Sequence, residues 1–236
     1  MNNFSLWNLL HGAKLSDVMF KGGKLGRSVA GGGRLPKGYT ELEYIENTDG
    51  TKQCYITLDQ KYTSTKTTVD LYYQYINSPS RRFFGMRNSA AFNAEVSVCG
   101  DYVYLFKQHV GTTEGVVFSD ELHRLQITKD KVLFDGVEKL EITDEVKTTG
   151  YNLSIGATFN KTSLDSSAVG RFGEFIIGED EVTLFDLVPC KRDSDGLCGF
   201  YDIVNDEFRP SEGADDWTEP TLALLVSAPE DPNTQE

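Results

Sequence analysis

The chain has 236 residues, 39% hydrophobic and 11% aromatic, enough for one large domain with a sizeable core plus extensions. Its net charge of −13 argues against a general nucleic-acid binder, which needs a basic surface to neutralise phosphate. No run approaches the ~18 consecutive apolar residues of a membrane span, so neither nucleic acid nor membrane is expected as a partner.

Residues 1–34 differ in character from the rest of the chain. Phe4, Leu6, Trp7, Leu9 and Leu10 form an apolar cluster too brief to hold a helix alone. No Lys or Arg precedes it and no small-residue cleavage site comes after it, so no secretion signal is expected. Lys21 to Gly33 then holds six glycines in thirteen residues, a flexible tether by composition. Five basic residues (Lys14, Lys21, Lys24, Arg27, Arg34) against Asp17 give the segment a net charge of +4. The pattern predicts a docking arm whose contacts to a partner are Phe4, Leu6, Trp7, Leu9, Leu10, Lys14, Lys21, Lys24 and Arg27.

From Leu35 the pattern is β. Thr40–Ile45 alternates, with Leu42 and Tyr44 on one face, and Cys54–Leu58 reads as a second strand. Thr67–Ile76 is long, β-branched and aromatic. Further strands are expected at Arg82–Met86, Ala94–Val98 and Tyr102–Phe106. His123–Thr128 and Val132–Phe134 come next, then Asp135-Gly136 and Val137–Ile142. Asp-Gly between two such runs supplies the positive φ angles of a two-residue type I′ hairpin. Tyr151–Gly156 and Arg171–Ile177 complete the strands before the last folded quarter. No stretch after residue 35 sustains a helical period for three turns. Many short strands at this spacing predict an all-β, two-sheet antiparallel sandwich of the jelly-roll kind.

The last quarter runs Phe185-Asp186-Leu187-Val188-Pro189-Cys190-Lys191, a polar turn at Asp193–Gly196, then Gly199-Phe200-Tyr201-Asp202-Ile203-Val204-Asn205-Asp206-Glu207-Phe208. Cys190 and Cys198 are symmetric about Ser194, so a hairpin centred there would oppose them. A bridge would then need some adjustment, while two reduced, packed thiols are the favoured reading. Residues 211–236 carry seven acids and no Lys or Arg. The domain is bounded at 35–218 and leads into an acidic tail, 219–236, whose Thr221–Val226 run would suit a last strand or a neighbour's sheet edge.

That closing signature pairs with an opening one, Leu35-Pro36-Lys37-Gly38-Tyr39-Thr40-Glu41-Leu42-Glu43-Tyr44-Ile45-Glu46. Together they resemble the concanavalin A-like lectin/glucanase (laminin G-like) jelly-roll domains of bacteriophage structural proteins and bacterial surface proteins. The run from His123 into Phe134-Asp135-Gly136 is similar to a hairpin of the same family. The sequence departs from the family close where Arg209-Pro210-Ser211-Glu212-Gly213 replaces an aromatic-led turn. The resemblance implies a non-enzymatic virion component of the decoration, head-fibre or tail-fibre type, made in a host cytoplasm and displayed on the particle. It would attach to other virion proteins through its arm, and symmetric display favours a homo-oligomer, a trimer above others. The alternative is a lectin-like module of a bacterial surface protein.

Family chemistry supplies three further candidates. Glu41-Leu42-Glu43-Tyr44-Ile45-Glu46 resembles the glucanase carboxylate strand, but Glu46 falls on the opposite face from Glu41 and Glu43 unless a bulge intervenes, so no catalytic residue is assigned. Lectin relatives often bind Ca2+, for which Asp193, Asp195 and Asp202 are candidate ligands. Binding of a cell-surface polysaccharide would draw on Tyr72, Tyr73, Tyr75, Tyr102 and Tyr104. His123 is expected to pack at a strand end rather than act as a base.

Overall fold

The computed structural model describes residues 34–49, 51–75, 82–86, 96–99, 102–105, 108–111, 122–142, 147–160 and 162–220. The expected arm, 1–34, lies outside these residues except for Arg34, and the expected tail, 219–236, except for residues 219–220; the docking residues Phe4, Leu6, Trp7, Leu9, Leu10, Lys14, Lys21, Lys24 and Arg27 also lie outside them. All regular structure among the described residues is β. In chain order the strands are β1 (Tyr39–Glu41), β2 (Ile45–Asn47), β3 (Ile56–Thr57), β4 (Thr67–Tyr75), β5 (Arg82–Met86) and β6 (Val96–Cys99). Next come β7 (Tyr102–Leu105), β8 (Gln108–Gly111), β9 (His123–Ile127), β10 (Lys131–Phe134), β11 (Val137–Glu141) and β12 (Ser154–Ile155). The last six are β13 (Ala157–Asn160), β14 (Ser163–Ser167), β15 (Gly170–Glu179), β16 (Val182–Arg192), β17 (Cys198–Asp202) and β18 (Glu207–Pro210).

The larger sheet runs β11-β10-β9-β4-β15-β16-β17-β18, and the smaller one β3-β12-β5-β6-β7-β8, all antiparallel. Alternation along each strand sends one set of side chains into the space between the sheets. Val69, Leu71 and Tyr73 of β4 enter it with Leu125, Ile127, Phe172, Phe175, Ile177, Leu187 and Phe200. Phe83, Phe84, Met86 and Ile155 meet them from the smaller sheet. A bulge between Arg82 and Phe84 lets two consecutive phenylalanines face the core. Phe83 lies 4.1 Å from the Tyr73 ring, and Phe84 lies 6.2 Å from Phe175.

The Asp135-Gly136 hairpin forms as expected, with φ of 47° and 79° and Phe134 paired to Val137. Its Asp135 carboxylate reaches back to the start of β9, accepting from the Arg124 backbone N–H and contacting His123 Nδ1, both at 2.8 Å. His123 stacks on Phe134 at 5.3 Å, a packing residue at the strand end.

The opening stretch is not one strand. β15 and β16 are paired from Phe175 to Leu187 and then separate. Into that opening β1 pairs with β16 and β2 with β15, so Leu42–Tyr44 must cross between them. Strands β13 and β14 were not expected, because Ser, Thr and Asn dominate them and read as loop.

The two signatures are joined physically. Leu42 N–H donates to Pro189 O at 2.9 Å, Asp193 N–H to Gly38 O at 2.9 Å, and Thr40 Oγ1 to Asp193 Oδ1 at 2.7 Å. Tyr39 packs on Tyr201 and Phe208, with ring centres 4.8 and 5.4 Å apart. After β18 the chain leaves the larger sheet and stitches to the rim of the smaller one. Glu212 N–H donates to Tyr55 O at 2.7 Å, and the Glu212 carboxylate accepts from Thr57 N–H and Oγ1. Thr218 then bridges back to Glu46.

Cys190 and Cys198 are reduced, packed thiols as expected, but the hairpin is not centred on Ser194 and does not oppose them. Arg192 N–H closes the turn on Leu197 O, and the register sets Cys190 against Gly199 and Cys198 against Lys191. One step of register turns a side chain to the other face of a sheet. Cys198 therefore joins the core while Cys190 faces away from it, and both are buried free thiols.

Candidate ligand-binding face and edge cavity

The outer face of the larger sheet carries a tract of charged groups ordered by strand register. In one row Gln126, Asp70, Ile176 and Asp186 are neighbours on β9, β4, β15 and β16. In the next, Arg124 faces Tyr72 and then a bulge at Gly173-Glu174 between Phe172 and Phe175. In the third, Gln74, Arg171 and Glu46 align across β4, β15 and β2.

Ion pairs run within and between these rows. Arg124 Nε and Nη2 donate to the two oxygens of Asp70 at 2.9 and 2.7 Å, and the guanidinium lies 5.7 Å from the Tyr72 ring centre. Arg171 donates through Nη1 to Gln74 Oε1 at 2.8 Å and through Nε to Glu46 Oε2 at 3.1 Å, above the Tyr44 ring at 4.8 Å. Arg34 bridges two strands: Nη1 donates to Glu174, and Nη2 to both oxygens of Asp186 at 2.7 and 2.8 Å. Arg34, assigned to the arm by composition, thus has its side chain in the domain.

Burial sets the protonation behaviour here. It pushes the Glu174 carboxyl above its ordinary value, Arg34 opposes the shift, and Asp186 and Asp70 reinforce it. Burial works against the Arg34 charge, but Glu174 and Asp186 outweigh it, so its pKa is raised. Glu43 is also raised by burial, with Arg171 opposing.

The expected site residues scatter. Tyr72 and Tyr73 point to opposite faces of β4, and Tyr73 lies in the core against Phe83 and Phe134. Tyr75 ends the same strand, while Tyr102 and Tyr104 belong to β7 of the other sheet. The Asp193 carboxylate accepts from Thr40, and Asp195 pairs with Arg192 and accepts from Leu197 N–H. Asp202, fully buried, accepts from Val204 N–H and Asn205 N–H and lies 3.3 Å from Arg209 Nε, which organises the β17–β18 turn. Among the described residues no group of three His, Cys, Asp or Glu side chains is placed to hold a metal ion.

A second feature lies at the edge where β18 and the segment after β3 approach. An open cavity of about 320 Å³ is lined by Asp59, Gln60, Leu184, Phe185, Asn205, Glu207 and Arg209. The Arg209 guanidinium covers the Phe185 ring at 5.4 Å and pairs with Glu207 at 2.9 Å. Its Nε is near enough to Asp202 for ion pairing but is not aligned for a hydrogen bond.

Reading the sequence for motifs missed Arg34, Asp70, Arg124, Arg171, Glu174 and Asp186. Polar residues at alternate positions of apolar strands, as in Val69-Asp70-Leu71, are the signal that would have found their face. Their partners depend on which strands are neighbours. No protein-family model matches this chain, and no curated protein matches it.

Proposed function

We propose that the chain is a non-enzymatic structural protein of a phage particle, of the decoration, head-fibre or tail-fibre type. It displays a concanavalin A-like (laminin G-like) sandwich and attaches to other virion proteins through residues 1–34, as a homo-oligomer with a trimer favoured. The observation that supports this best is the Arg34 clamp. The residue joining the glycine-rich segment to the domain is fixed by carboxylates on two central strands, a firm root for a tether. The non-enzymatic part is supported on the outer face of the larger sheet alone. There Asp70, Glu174, Asp186 and Glu46 all pair with guanidinium groups, whereas a glycoside hydrolase acting on that face would need one carboxyl free as an acid and another as nucleophile or base.

The test deletes residues 1–33 and keeps Arg34. The shortened chain should stay folded and fail to co-sediment with particles assembled in cells expressing it. Retained association would overturn the docking role.

A second reading, a lectin-like carbohydrate-binding module of a bacterial surface protein, is favoured by the edge cavity and its mixture of amides, carboxylates and an arginine.

A further inference from the structure

We infer that the cavity between Leu184-Phe185, Asn205–Arg209 and Asp59-Gln60 binds a single sugar unit, a pyranose carrying free hydroxyls and no acid group. The inference rests on the carbohydrate-binding reading above and gives it a location.

Size comes first. About 320 Å³ is at the lower end of small-ligand sites, which span about 300–1,000 Å³, and leaves room for one sugar ring rather than an extended chain.

The wall selects hydrogen-bond donors. Asn205 Nδ2 is committed to Leu184 O and Asp202, and Gln60 Nε2 to Lys61 O and Glu179. That leaves as acceptors at the wall the two amide oxygens and the remaining lone pairs of Asp59, which accepts from Asn152 at 3.1 Å, and of Glu207, which is paired with Arg209. Sugar hydroxyls supply donors and can also accept from the Arg209 guanidinium. Leu184 offers an apolar patch for the C–H face of the ring.

Charge then excludes acids. Asp59 and Glu207, with Asp202 behind them, repel phosphates and acidic sugars. Arg209 on the same wall, held in place by Asp202 and Glu207, offsets only one of these three negative charges. A donor-rich ligand without an acid group suits such a wall.

The experiment uses the intact chain and five probes: glucose, galactose, mannose, rhamnose and N-acetylglucosamine. Binding is followed by backbone-amide NMR shifts, with glucuronate as the acidic counterpart. At least one of the five sugars should bind with a millimolar Kd and shift the amides of residues 184–186 and 203–209. Glucuronate should bind at least tenfold more weakly. Asp59→Ala, and Glu207→Trp placing a bulky ring at the exposed rim, should each weaken binding at least tenfold while the chain stays folded. Silence from all five sugars at these amides overturns the inference, as does glucuronate binding equally well. Sugar shifts confined to the Tyr72–Arg124–Glu174 face overturn this location while keeping the carbohydrate reading. Particle association, measured separately, decides the virion reading on its own.

Discussion

Thr158 sits fully buried in β13 with a hydroxyl that has no hydrogen-bond partner among the described residues. An unsatisfied buried hydroxyl costs about 1–3 kcal/mol. Thr158→Val keeps the shape and removes that cost, so it should stabilise by about 1 kcal/mol and raise Tm by about 2–4 °C. Glu174 offers a test by pH. Its folded pKa lies above the ordinary 4.5, so the native state holds the proton to higher pH than the unfolded chain does. Stability should therefore fall as pH rises through the window just above 4.5, and Glu174→Gln should flatten that part of the profile of urea midpoints. Arg34 faces the same carboxylate. Arg34→Gln leaves Glu174 and Asp186 without their shared cation and should cost about 1–2 kcal/mol, less than a fully buried pair because the guanidinium is partly exposed. Adding Glu174→Gln to that variant should recover part of the loss.

At the scale of elements, glycine in the closing signature has a steric reason. A Cβ on Gly199 would lie 2.5 Å from Arg209 O and 2.9 Å from the Phe208 ring, so Gly199→Ala should destabilise by about 2–3 kcal/mol in chemical unfolding. The register of β16 and β17 predicts that thiol reductants leave Tm unchanged, since Cys190 and Cys198 face opposite sides. These elements also mark what local sequence could reveal. Asp135-Gly136 was legible because positive φ at two successive positions is a local demand. The Cys190–Cys198 offset was not, because a turn closed by Arg192 and Leu197 shifts the register one step from the symmetric choice. The sandwich class was legible from alternation alone. The ion-pair rows were invisible for the opposite reason: Asp70 lies far along the chain from Glu174 and Asp186, and only sheet order makes their strands neighbours.

For the whole molecule, the boundary of the domain falls at Arg34 rather than Leu35. A chain begun at Leu35 would lose the clamp, and its behaviour would mix a missing tether with a bared Glu174. Light scattering of the full chain and of a form begun at Arg34 separates these effects. A defined oligomer that becomes a monomer on shortening is the expected outcome if residues 1–33 assemble copies. The acidic end of the domain is likewise tied in, through Lys191 Nζ to Glu219 at 2.8 Å and the Thr218–Glu46 bridge, so truncation should spare residues through 219.

The insertion of β1 and β2 into the opening between β15 and β16 also sets a load path. Tension entering at Arg34 reaches two strands held inside the larger sheet and not one at its rim. To give way, the molecule must shear β1 along β16 and break the Arg34 pairs together, while Tyr39 is dragged from its packing against Tyr201 and Phe208. Optical-trap extension from the N-terminus should therefore show a single, abrupt rupture instead of strand-by-strand peeling.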